Sequence, residues 1–142
     1  MTLVDVVMAV AMLGIMAGGI FGSFRYGFFT LQLVRENQRA TQIILEKVET
    51  IRLYSWDQVT STNGFFTIPA TFPDVYDPQA EVGSQGTAYT GTVTIAPCSL
   101  PSSYAASMRQ LTITLSWTTR DILHTRSLTT YIAKDGIQNY VY

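Results

Sequence analysis

The feature that most constrains this chain is a run of nineteen uncharged residues, Val6 to Phe24, entered through a single acid, Asp5. About 20 mostly apolar residues in a row span the hydrocarbon core of a bilayer as a helix. An isolated carboxylate in such surroundings is very costly, so Asp5 must have a partner or a capping role. The run does not read as a secretory signal peptide. That would place basic residues ahead of a short apolar core and a small-residue cleavage site, whereas the only early charge here is acidic. Arg25 follows the run, with Arg35 and Arg39 further on. For a plain anchor, this basic flank predicts that the C-terminal side stays cytoplasmic.

Within the run, Gly14, Gly18, Gly19 and Gly22 recur at spacings of one to four residues. Gly14 and Gly18 fit the small-xxx-small pattern of close helix contacts in membranes. Each glycine also weakens a helix by about 1 kcal/mol relative to alanine. The segment is expected to pack against copies of itself and to unwind locally between Gly14 and Gly22 in an assembled form. Phe21, Phe24, Tyr26, Phe28 and Phe29 cluster at its far end, as an interfacial aromatic belt does.

The helical pattern continues past the run. From Phe28 to Tyr54 there is no glycine or proline. Leu33, Ala40, Ile44, Val48 and Ile51 recur at helical spacing, and Arg35, Glu36, Arg39, Glu46, Lys47, Glu49 and Arg52 fill the other positions. One helix is expected from about Thr2 to Tyr54, roughly 80 Å at 1.5 Å per residue. Its first half has no aqueous face and its second half is amphipathic. The chain therefore divides into an apolar helix (1–28), an amphipathic continuation (29–56) and a β domain (57–142).

After Trp56 the pattern turns to strands. Phe65 to Ile68 is a short candidate. Asp74 to Gly86 holds two glycines and three acids and reads as loop. Tyr89, Gly91, Val93 and Ile95 alternate with Thr90, Thr92 and Thr94. Leu111, Ile113, Leu115 and Trp117 alternate with Thr112, Thr114 and Ser116, the mark of a half-buried strand. Thr119 to Leu123 is expected to turn, and His124 to Ala133 to return with Leu128 and Ile132 on one face. The expected fold is α+β: a long N-terminal helix whose C-terminal half covers one face of a small antiparallel sheet. Leu111, Ile113, Leu115 and Trp117 should face Ile44, Val48 and Ile51.

Little in the chain suggests catalysis. It has one histidine, His124, and one cysteine, Cys98, and no spaced metal-ligand cluster. Cys98 and His124 would have to meet to act as nucleophile and base, and nothing in the sequence brings them together. Asp74, Asp77 and Glu81 lack the spacing of an EF-hand and read as a solvated loop. A net charge of −1 supplies no footprint for nucleic acid. Charged residues are 13% of the chain, about half the usual share. The chain reads as a structural protein with no enzymatic activity and no cofactor.

MTLVDVVMAVAMLGIMAG resembles the mature N-terminus of type IV pilins and of the pseudopilins of type II secretion. Met1, Thr2, Leu3, Val4 and Asp5 match that motif position by position, with aspartate where glutamate is usual. The motif covers about the first 24 residues; beyond it only the architecture agrees. The resemblance implies a basic leader, removed by a prepilin peptidase that then methylates the Met1 amine. Such a leader, on the cytoplasmic side, would outweigh the basic flank at Arg25. It further implies storage in the inner membrane, then extraction by an assembly ATPase and a platform protein into a helical homopolymer, either an extracellular fimbrium or a periplasm-spanning pseudopilus. Asp5 would pair with the Met1 amine of the neighbouring subunit. The chain departs from many pilins in having Gly22 near the position of a common proline, and a single cysteine where a disulfide loop is common. A pseudopilin of a secretion machine and a monomeric membrane-anchored binding module are the alternatives; a simple anchor needs neither Asp5 nor the glycines.

Overall fold

A computed structural model describes residues 2–61 and 68–135. The chain divides into two compact units, Met1–Asn37 and Gln38–Tyr142. Helix α1, Leu3–Arg52, contributes to both. At its start the Thr2 amide donates to Asp5 Oδ2 at 2.8 Å, while Asp5 N–H reaches back to the Thr2 carbonyl at 3.0 Å. The acid thus satisfies a donor outside the helical ladder and lies at the positive end of the helix dipole.

The expectation placed the end of this helix near Tyr54. It ends at Arg52, where Leu53 and Tyr54 donate to the Thr50 and Ile51 carbonyls in a tightened last turn. The reason is a new helix start. Ser55 opens the short helix α2, Trp56–Thr60, with a capping box: its hydroxyl accepts from Gln58 N–H, and Gln58 Oε1 accepts from Ser55 N–H at 2.9 Å. Arg109 lies over the Trp56 ring, 5.2 Å from its centroid, and Val59 is buried.

Four strands follow: β1 Thr71–Val75, β2 Ala88–Pro97, β3 Met108–Thr119 and β4 Ile122–Ala133. They form one antiparallel meander in the order β1-β2-β3-β4. Two differences from the expected pattern have physical causes. The expected loop overlaps β1, because Pro73 hid a strand; Pro73 is tolerated since, among the described residues, β1 is the edge of the sheet and pairs with β2 alone. The β3–β4 connection is tighter than a Thr119–Leu123 turn. Arg120 and Asp121 alone make it, at φ 48° and 66°, the left-handed pair that a two-residue hairpin needs. Of the Phe65–Ile68 candidate, 65–67 lie outside the described residues, and Ile68 packs partly buried against the core outside any strand.

In the second unit, Ala40, Ile43, Ile44, Val48 and Ile51 of α1 form one buried cluster with Phe72, Tyr89, Val93, Leu111, Ile113, Leu115 and Trp117. This is the expected facing of helix and sheet, with Leu128 and Ile132 at its margin. Thr112, Thr114 and Ser116 are on the other face, in register with Thr94, Thr92 and Thr90 on β2 and with Thr129, Ser127 and Thr125 on β4. That face is uncharged at all nine positions.

The helix surface needs correction at Ile43, at Glu36 and at two basic residues, of which Arg39 is half-buried beside Asp74. Ile43 belongs to the core. Lys47 is half-buried, its amine 4.4 Å from the centroid of the Phe72 ring. Glu36, assigned to the polar side, is only 3% exposed. It stands four residues before Ala40 and eight before Ile44, so helical geometry places it in their row. Gln32 Nε2 donates to Glu36 Oε1 at 2.9 Å.

Candidate functional site

The absence of proline lets α1 form through the apolar run, and its 3.6-residue period then distributes large apolar side chains around the full circumference. Every residue from Thr2 to Phe28 is exposed within the chain, Leu3 at 82% and Ile15 at 77% among them. This helix is long and apolar enough to cross a membrane. Soluble monomers rarely leave so much contiguous apolar surface bare, so lipid or other protein must cover it. The aromatic group expected at its far end is on this surface: Phe21, Phe24, Tyr26 and Phe28 are exposed, and Phe29 is half-buried.

Asp5 is at the tip of that surface. Its carboxylate engages the Thr2 amide of its own chain, so a capping role is realised here. Met1, the expected site of methylation and the expected intersubunit partner, lies outside the described residues.

The glycines serve no packing need inside the chain. A Cβ placed at Gly14, Gly18, Gly19 or Gly22 would meet nothing within 4 Å. Their cost to helix stability is therefore not repaid within the chain. The expected unwinding concerns an assembled form; in the single chain α1 is continuous through all four. A groove of about 600 Å³ runs over Gly19 and Ser23, bounded by Met16, Ile20 and Phe24. The Ser23 hydroxyl donates to the Gly19 carbonyl at 2.9 Å, which leaves the groove floor without a free side-chain donor. Sequence reading singled out Gly19 but missed Ser23 and Met16, although their spacing of three and four residues places them on the same face.

The remaining candidates are separated by the fold. Pro97, next to Cys98, pairs with Arg109, and His124 pairs with Trp117. Eight residue steps of β3 separate those two rungs, roughly 27 Å, so Cys98 and His124 do not meet. His124 stacks on Trp117 with ring centroids 5.5 Å apart. Asp74 lies in β1, 3.7 Å from Arg39 Nη2, and Asp77 Oδ1 caps the Gln79 amide at 3.0 Å. Among the described residues, no three His, Cys, Asp or Glu side chains are grouped to hold a metal ion.

No protein family model, no curated protein and no solved structure matches this chain.

Proposed function

We propose that the chain is a structural subunit of a helical filament of the type IV pilin kind, held in an inner membrane before a prepilin peptidase, an assembly ATPase and a platform protein bring it into the polymer. The observation that carries the reading is the bare helix from Thr2 to Phe28 with a carboxylate as its fifth residue. A lipid anchor needs the apolar surface alone. An acid near its start, and four glycines that no contact within the chain requires, are accounted for by neighbouring helices of the same kind.

In this reading Asp5 keeps its bond to Thr2 and accepts the Met1 amine of an adjacent subunit. Each buried charge is a penalty until the correct neighbour arrives, so the pair specifies axial register more than it adds net stability. The glycines let backbones approach closely, and the β domain decorates the outside. The test is to express the full chain with the assembly machinery, shear the cells and examine the sheared fraction by electron microscopy. Filaments that incorporate the chain and disappear with Asp5→Ala are the expected result. Membrane-bound monomer under every condition overturns the proposal.

A further inference from the structure

Three of the five methionines, Met8, Met12 and Met16, recur at four-residue spacing and so form one row on α1. They are 57%, 56% and 63% exposed. Met108, by contrast, is buried in the β domain. We propose that this thioether row is an oxidation-sensitive part of the assembly surface, one that peroxide switches off and sulfoxide reduction restores. The inference rests on the filament reading above.

The chemistry is a two-electron oxygen transfer. A methionine sulfur attacks one oxygen of hydrogen peroxide, the O–O bond breaks, an S–O bond forms and water leaves. The thioether is oxidised and the peroxide reduced. A flexible apolar side chain thereby becomes a polar acceptor. What makes this consequential is the composition of the surroundings. Between Val6 and Phe24 the only side chain with a hydrogen-bond donor of ordinary strength is Ser23, and its hydroxyl is already given to the Gly19 carbonyl. The backbone amides from Val6 to Leu13, ahead of the stretch expected to unwind, are taken up within α1. In a homopolymer the covering surface is another copy of the same run, equally poor in donors. A sulfoxide at Met8 or Met12 therefore finds no free side-chain donor in its own run or in the same run of a neighbour, and a buried unpaired acceptor opposes packing. In an unassembled helix the sulfoxide of Met8, near the end of the run, can recruit water or headgroups, so the effect falls on assembly and leaves the β domain untouched.

The experiment uses the full-length chain with Cys98→Ser, which removes the competing thiol. Cells expressing this chain with the assembly machinery, in strains with and without methionine sulfoxide reductases of both epimer specificities, are exposed to hydrogen peroxide; the sulfoxides are mapped by peptide mass spectrometry and filament yield is measured after shearing. Met8, Met12 and Met16 should oxidise faster than Met108. Filament yield should fall by about five- to 150-fold, the equilibrium effect expected of one unpaired buried group, and recover on reduction. A Met8→Leu, Met12→Leu, Met16→Leu chain, close in volume, should assemble and resist peroxide. Normal assembly of the oxidised wild-type row overturns the inference, as does equal peroxide sensitivity of the leucine chain. If the leucine chain does not assemble untreated, reversal by the reductases in the wild-type row decides the matter. Absence of filaments from untreated chain is a different failure, that of the filament reading itself, and the inference falls with it.

Discussion

The ring of Phe72 lies directly across the backbone of Gly91: a Cβ at position 91 would collide with the ring's Cζ. The two residues are opposite one another on β1 and β2. Glycine leaves the space, the edge-strand phenylalanine fills it, and the Lys47 amine approaches the same ring. Gly91→Ala should therefore destabilise the β domain by about 1–3 kcal/mol through overpacking. Adding Phe72→Leu should recover part of that loss, because the two sites share one volume. Thermal denaturation of the three variants checks this, and an unchanged melting temperature for Gly91→Ala would exclude the contact.

Leu115 and Thr114 are adjacent in β3 but face opposite sides of the sheet. Leu115 is fully buried in the cluster. Leu115→Asp should cost several kcal/mol by leaving a charge buried without a partner and should unfold the β domain. Thr114→Asp, on the uncharged outer face, should stay within about 1 kcal/mol of wild type. Circular dichroism melts of the two variants must differ widely, with Leu115→Asp the less stable; coincident curves would exclude this facing, and the reverse order would mean that β3 is turned the other way.

Ser55 marks the break between α1 and α2. Ser55→Ala removes the hydroxyl that accepts from Gln58 N–H and should cost about 0.5–2 kcal/mol. The loss should be local, raising hydrogen exchange at the Gln58 amide while α1 up to Arg52 keeps its protection. Uniformly faster exchange across both helices would argue for a single continuous unit.

For Asp5, Asp5→Ala should loosen the first turn, since the Thr2 amide loses its acceptor, by about 1 kcal/mol, yet leave the β domain folded. Filament yield, measured as sheared subunit against total subunit, should fall sharply. Asp5→Glu should assemble at least in part. Asp5→Asn separates the two roles, because its carbonyl oxygen can still accept from Thr2 while the charge is gone. Wild-type yield from Asp5→Asn would leave the carboxylate with its capping role alone.

Much of this fold was legible in residue period. Strand β3 alternates so regularly that its buried and outer faces follow from the sequence, and the run from Phe28 to Arg52 contains nothing that breaks a helix. What escaped depends on contacts between distant residues. Strand β1 is short and carries a proline, so its pairing with β2 is needed to recognise it. Glu36 is the exception: its spacing from Ala40 and Ile44 was in the sequence, and only its type reads as surface. The β3–β4 turn is Arg-Asp, without the glycine or asparagine that usually marks a left-handed pair. At the candidate site, Asp5 and the glycines were conspicuous by type. Ser23 and the methionine row were not, since each is unremarkable until the helical face is drawn.

The stretch between β1 and β2 leaves the sheet through two backbone rungs, Tyr76 N–H to the Thr87 carbonyl and Asp77 N–H to the Gln85 carbonyl. Those rungs tie its two ends together, and Gly83 and Gly86 turn the chain at φ 96° and 75°. At the tip Val82 is almost wholly solvent-facing. A loop pinched shut at its base isolates whatever it carries from the strands below. Doubling the length of such a loop costs only about 0.6 kcal/mol of closure entropy. A foreign peptide grafted between Ala80 and Gly83 would thus leave the register of β1 with β2 intact. In a polymer it would be displayed once per subunit, which makes this the natural position for an epitope or an affinity tag.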